Sequence, residues 1–172
     1  MNTWQNLQQI RYLIRNQNWT GSSTPVFHEE AVIVSAAPQE EVAEKVIMPI
    51  AILAPGAATV DDEAADLVEQ EVIIKLGVSS SGDAYGESAL IGSHRASQTD
   101  SQGRGLLEVE EELFNAVELL NTDDGVVIQH RASSAVRPEY VAGQYLLFRD
   151  YLYKLDCTAD RYYHPVSNLQ ES

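Results

Sequence analysis

Residues 69–78 and 106–120 both need a place in a core, yet the polar stretch between them, residues 79–105, is far too long for an ordinary connection. In the first segment Val72, Ile74, Leu76 and Val78 alternate with Glu71, Ile73, Lys75 and Gly77, the period of a strand with one covered face. In the second, Leu106, Val109, Leu113, Val117 and Leu120 recur at steps of three and four, the stripe of an amphipathic helix. Structureless connections beyond about 12 to 15 residues are uncommon in compact domains and usually carry function or order against a partner. The pattern therefore predicts a sheet and a covering helix that hold their places while residues 79–105 form a long exposed loop, and function is expected there.

The rest of the chain supplies more strands. Asn2 and Thr3 are suited to cap a helix whose apolar side is Trp4, Leu7, Ile10 and Leu13 or Ile14, ended by the polar run at 16–18 and by Gly21 to Pro25. Residues 31–34 read as a short strand, and residues 38–45, with Pro38 ahead of acids, as a short surface helix. Residues 46–53 are apolar on both faces, like a strand covered on both sides, with Pro49 pointing to an edge or a bulge and Pro55-Gly56 closing the strand. After the turn at 121–125, residues 126–129 and 145–157 read as the last strands, with Tyr151, Tyr153, Leu155 and Cys157 facing inward. Strands broken by isolated helices without regular alternation predict an α+β fold, a mostly antiparallel sheet with helices on one face and a long protruding loop. A length of 172 residues fits one domain over residues 1–160, with a tail at 161–172 that shows no periodicity.

Charge narrows the partners. Twenty-six acidic residues against 11 basic ones give a formal net charge of -15. That balance opposes a surface built to clamp phosphates, because such binding depends on Lys and Arg releasing counterions, while it is compatible with a surface that DNA passes without adhering and equally with a charge that serves solubility. No apolar run approaches the roughly 18 residues a membrane helix needs, and Met1-Asn-Thr-Trp-Gln-Asn is no secretion signal, so neither membrane insertion nor export by that route is expected. Cys157 is the sole cysteine, which leaves no internal disulfide and favours a packed, inert thiol.

A search for chemistry finds no complete motif. His28, His94, His130 and His164 stand apart without paired-ligand spacing; His28-Glu-Glu30 reads as solvated polar residues ahead of a strand. Gly103-Arg-Gly105 opens a helix but lacks the lysine and hydroxyl of a phosphate loop, so it reads as geometry for starting the helix. Ser79-Ser-Ser81 has no nucleophile-elbow frame. Glu108, Glu110, Glu111 and Glu112 read as acids that favour the helix N-terminus and solvate its outer face. No enzyme activity, metal or cofactor is expected.

The N-terminal helix, the strands at 46–53 and 71–78, the loop with Gly103-Arg-Gly-Leu-Leu-Glu-Val109, and the closing strand around residues 148–156 together resemble the tail terminator proteins of long-tailed bacteriophages. The resemblance spans about residues 1–160 and rests on element order and local texture. It implies an α+β subunit of a virion ring, most often a hexamer, that caps the tail tube and joins it to the head or neck after assembly in the host cytoplasm. The implied partners are further copies of the chain, the tail tube protein and a neck or head-completion protein, with DNA passing through the lumen unbound. No catalytic residue carries over. In that frame Tyr85, Leu90, Ile91, His94, Arg95 and Arg104 are candidates for the contact with a neighbour or the tube, and Glu40, Glu41, Asp61, Asp62 and Glu63 for the lumen. Residues 39–45 and the tail after Asp160 depart from the minimal pattern, which leaves a sister ring of the neck as one alternative and a non-viral acidic adaptor or binding module as another.

Overall fold

The computed structural model describes residues 3–36, 48–60, 67–79, 87–92, 105–122, 126–141 and 144–158. Its elements run α1 (Thr3–Arg15), β1 (Val32–Val34), β2 (Ile50–Val60), β3 (Leu67–Ser79), α2 (Glu87–Ile91), α3 (Leu106–Glu118), β4 (Val126–Ser133), β5 (Arg137–Val141) and β6 (Gln144–Thr158). The fold is α+β around one mixed, mostly antiparallel sheet in the order β1-β2-β3-β6-β4, with β5 also pairing β6. Among the described residues only β1 and β2 run parallel.

The long alternating strands form the centre. β3 pairs β6 without a break from Leu67↔Thr158 to Ser79↔Leu146, so the inward residues of both strands share one face. On that face lie Val68, Val72, Ile74, Leu76, Tyr151, Tyr153, Leu155 and Cys157, all buried, as their alternation predicts. β4 and β5 lie end to end along the far side of β6, pairing its second and first halves respectively. Ser134 bridges the gap between them, its N–H donating to Asp150 O at 2.8 Å and its Oγ accepting from Asp150 N at 3.0 Å.

Helices α1 and α3 cover the inward face. Leu106, Val109, Leu113, Val117 and Leu120 are all buried, which bears out the stripe, and Leu7, Ile10 and Ile14 are buried from α1. Trp4 is not in this core: it is 59% exposed, because the helix turns its Asn6 side inward instead. Asn6 Nδ2 donates to Gln70 Oε1 at 2.9 Å and lies 3.5 Å from Cys157 Sγ, so a polar contact takes the place expected of the tryptophan.

Two expectations about β2 are corrected. Pro49 precedes the strand after a cis Met48-Pro49 bond, and β2 lies between β1 and β3, so it is no edge. Nor does Pro55-Gly56 end it. The register shifts between Pro55 and Ala58 and the strand continues to Val60, which puts the missing proline N–H at an interruption of the ladder. Gly56 is needed for that approach, since a Cβ there would stand 2.7 Å from Glu71 Cβ.

The outer face of the sheet is mixed. Ile50, Ile52, Leu146 and Phe148 form a second, smaller buried cluster, so residues 50–53 are indeed apolar on both faces. Lys75 Nζ lies 5.1 Å from the centre of the Phe148 ring. Beyond them come ion pairs along the strands, Lys75 with Glu139, Arg137 with Glu139 and Asp150, and Lys154 with Glu69 and Asp156.

Candidate functional site

Of the six side chains expected at an interface, Leu90 and Ile91 are described, and both belong to α2 inside what reads in sequence as loop. Leu90 is half-buried and packs on the main core beside the fully covered Ala89, so it is committed within the subunit; Ile91 is 43% exposed. The sequence stripe was too short, five residues, to signal a helix. Tyr85, His94, Arg95 and Arg104, and the lumen candidates Glu40, Glu41, Asp61, Asp62 and Glu63, lie outside the described residues, as does the surface helix expected at 38–45.

The end of α2 meets the start of α3. Gly92, at φ +89°, lies against Gly105, the residue that caps α3 with no side-chain hydrogen bond. A Cβ on Gly105 would stand 2.1 Å from Gly92 N. This agrees with reading Gly105 as geometry for starting the helix, and the reason is the close approach of two backbones.

The acids of α3 do not all solvate its outer face. Glu111 is exposed, but Glu112 is buried and ties the turn after α1 to α3: Thr20 N donates to its Oε1 and Gln17 Nε2 to its Oε2, each at 2.7 Å. Burial raises the Glu112 pKa, but the bonds from Thr20, Gln17 and Asn115 outweigh it and hold the carboxyl below its ordinary value. A depressed folded pKa contributes stability that is complete above the unfolded value and is lost as pH falls through the folded one. Glu112→Gln is therefore expected to cost about 1 to 3 kcal/mol at neutral pH, with the gap to the native protein narrowing in acid. Denaturant titrations of both proteins at neutral pH and below the ordinary glutamate pKa check this, and a gap that widens in acid contradicts it.

Glu110 is also engaged. Its Oε2 accepts from Arg149 Nη1 at 2.9 Å and from Tyr151 Oη at 2.6 Å, linking α3 to the centre of β6. Burial first, then the bond to that carboxylate, pushes the Tyr151 phenol well above its ordinary pKa. Arg149 is further held by Ser134 O at 2.9 Å.

Next to this relay a cleft of about 480 Å³ opens between the end of α3 and β4, lined by Phe114, Val117, Glu118, Ile128, His130 and Tyr153, among others. Its rings form one wall: His130 lies 5.2 Å from Phe114 and 5.5 Å from Tyr153, centre to centre, and Phe114 meets Tyr151 edge-on at 5.6 Å. His130 Nε2 is 2.9 Å from Ser133 Oγ. In sequence His130 reads as an isolated histidine, although Val126, Ile128 and His130 share one strand face by alternation. By contrast His28 is local, its Nδ1 accepting from Glu30 N at 3.3 Å to cap the 3₁₀ turn Glu29–Ala31. Cys157 is fully buried, as expected of an inert thiol. Among the described residues no three His, Cys, Asp or Glu side chains converge as metal ligands would, and no helix is long and apolar enough to cross a membrane.

The outer face of the sheet is the other surface of interest. Cross-strand register puts Ala54, Ile73, Leu152 and Ala132 in one row over four strands, with Ile73 38% exposed; Val127, further along β4 opposite Asp156, is 48% exposed. No family model matches the chain, and no curated protein matches it.

Proposed function

We propose that this chain is a structural subunit that closes into a ring at the head-side end of a phage tail tube, and that its role is mechanical joining without turnover. The observation that carries the reading is the outer face of the sheet. Helices α1 and α3 cover one face, while the other leaves the apolar row of Ala54, Ile73, Leu152 and Ala132 between ion-paired side chains, Lys75 and Arg137 with Glu139 and Asp150 on one side and Lys154 with Glu69 and Asp156 on the other. An apolar strip rimmed by paired charges suits contact with a second protein, the apolar part supplying the area and the charges setting register. A heterologous contact through such a face, repeated around an axis, closes a ring where the rotation between neighbours divides a full turn. The order of helix, strands, loop, helix and strands supports the same reading, as does the acidic balance, which favours a lumen that repels phosphate.

Light scattering on the purified protein, alone and mixed with assembled tail tubes, tests the proposal. A closed homo-oligomer, most simply a hexamer, is expected at least in the presence of tubes, which can template assembly. Ile73→Asp should abolish it while the subunit stays folded, because Ile73 lies on the outer face and not in the main core. A native protein that remains monomeric with tubes present would overturn the reading.

A further inference from the structure

We propose that the cleft between α3 and β4 binds a protonated alkylamine, its charge seated against the aromatic wall of Phe114, His130 and Tyr153 with the Glu118 carboxylate as counter-ion. This inference stands apart from the ring reading, since it uses the helix-covered face and not the outer one. Its starting point is the size and lining of the cleft: about 480 Å³ lies within the range of small-ligand sites, and its walls combine apolar surface with a few polar groups.

Three features then select the ligand. Phe114 and Tyr153 flank His130 with ring centres 5.2 and 5.5 Å from it in tilted and edge-on arrangements, so aromatic rings line the cleft, and the face of a Phe or Tyr ring attracts a cation within about 6 Å. The carboxylate that lines the cleft is Glu118, while Glu110 is already paired with Arg149. Both act on Tyr153, whose phenol is pushed above its ordinary pKa first by burial and then by those two carboxylates. An anionic or electron-rich ligand would meet that field unfavourably. Finally, Tyr153 Oη is buried and, among the described residues, has no hydrogen-bond partner, an arrangement that costs free energy until a partner arrives. With carboxylates nearby, an ammonium N–H donating to that oxygen is the partner of matching sign. The stem of the amine would lie on Val117 and Ile128, which supply the apolar remainder of the lining.

The shared chemistry is an ammonium on an alkyl stem, and it has two sources, a free small amine or a lysine side chain presented by another protein. The test is an NMR titration of the whole chain with n-butylammonium, with its neutral counterpart 1-butanol, and with N-acetyl-lysine methylamide. Saturable shifts of the His130 and Tyr153 ring signals are expected with butylammonium and not with butanol. Binding of the lysine derivative at equal or greater strength identifies a side chain as the natural source, and its exclusion identifies a free amine. Glu118→Gln and Phe114→Leu should each weaken butylammonium by about fivefold or more. Tyr153→Phe keeps the ring and removes the unpartnered hydroxyl, so it should weaken the amine without unfolding the chain, which the proton spectrum verifies directly. Equal shifts by butanol and butylammonium, no saturable shift with either amine, or folded variants that bind as the native protein does would overturn the proposal.

Discussion

Leu113→Ala is expected to lower the free energy of unfolding by about 2 to 5 kcal/mol, the range for truncating a large buried aliphatic side chain. Leu113 has no exposed surface, lies in the middle turn of α3 and belongs to the main core. The alanine keeps the helix propensity and removes only packing, so the loss reports the transfer of the missing methyl groups and the void they leave. Two residues earlier, Glu111→Gln changes a side chain in solvent and should move the stability by no more than about 0.5 kcal/mol. Denaturant unfolding of the two variants beside the native chain provides the measurement. Equal losses would contradict the burial pattern of the helix.

The second large effect belongs to a glycine. Gly105→Ala is expected to cost about 1 to 3 kcal/mol, as overpacking of a well-filled site does. Backbone conformation is not the reason, because Gly105 has φ -81° and ψ 165°, open to any residue. Space is: the new Cβ would lie 2.1 Å from Gly92 N, 2.5 Å from Ile91 C and 2.6 Å from Leu90 O, all main-chain atoms that cannot rotate away. Relief requires α2 to lift from the start of α3, which uncovers Ala89 and Leu90. Hydrogen exchange should accordingly quicken in residues 87–92 while the β3–β6 ladder stays protected. An unchanged melting curve with unchanged exchange in α2 would show that the two segments are not held together as described.

Much of the core was legible because it is periodic. The stripe from Leu106 to Leu120 and the inward alternation of Tyr151, Tyr153, Leu155 and Cys157 both appear buried, since one covered face per element is a requirement that local order alone expresses. The α+β class followed from the same patterns. The candidate site was less legible. His130 reads as isolated until strand register brings it to Phe114 and Tyr153, which come from two other elements.

The chain's own order of side chains determined which faces must be covered, where glycine and proline interrupt, and how acidic the surface is. Tertiary structure alone decided the partners across those faces: that Glu112 is buried under Thr20 and Gln17 and not solvated, that Trp4 stays outside while Asn6 meets Gln70, and that Pro55 marks a bulge and not an end. The physical reason is that periodicity records only whether a position is apolar, whereas a polar or conformationally restricted side chain is placed by the specific donor, acceptor or gap that a distant segment brings to it.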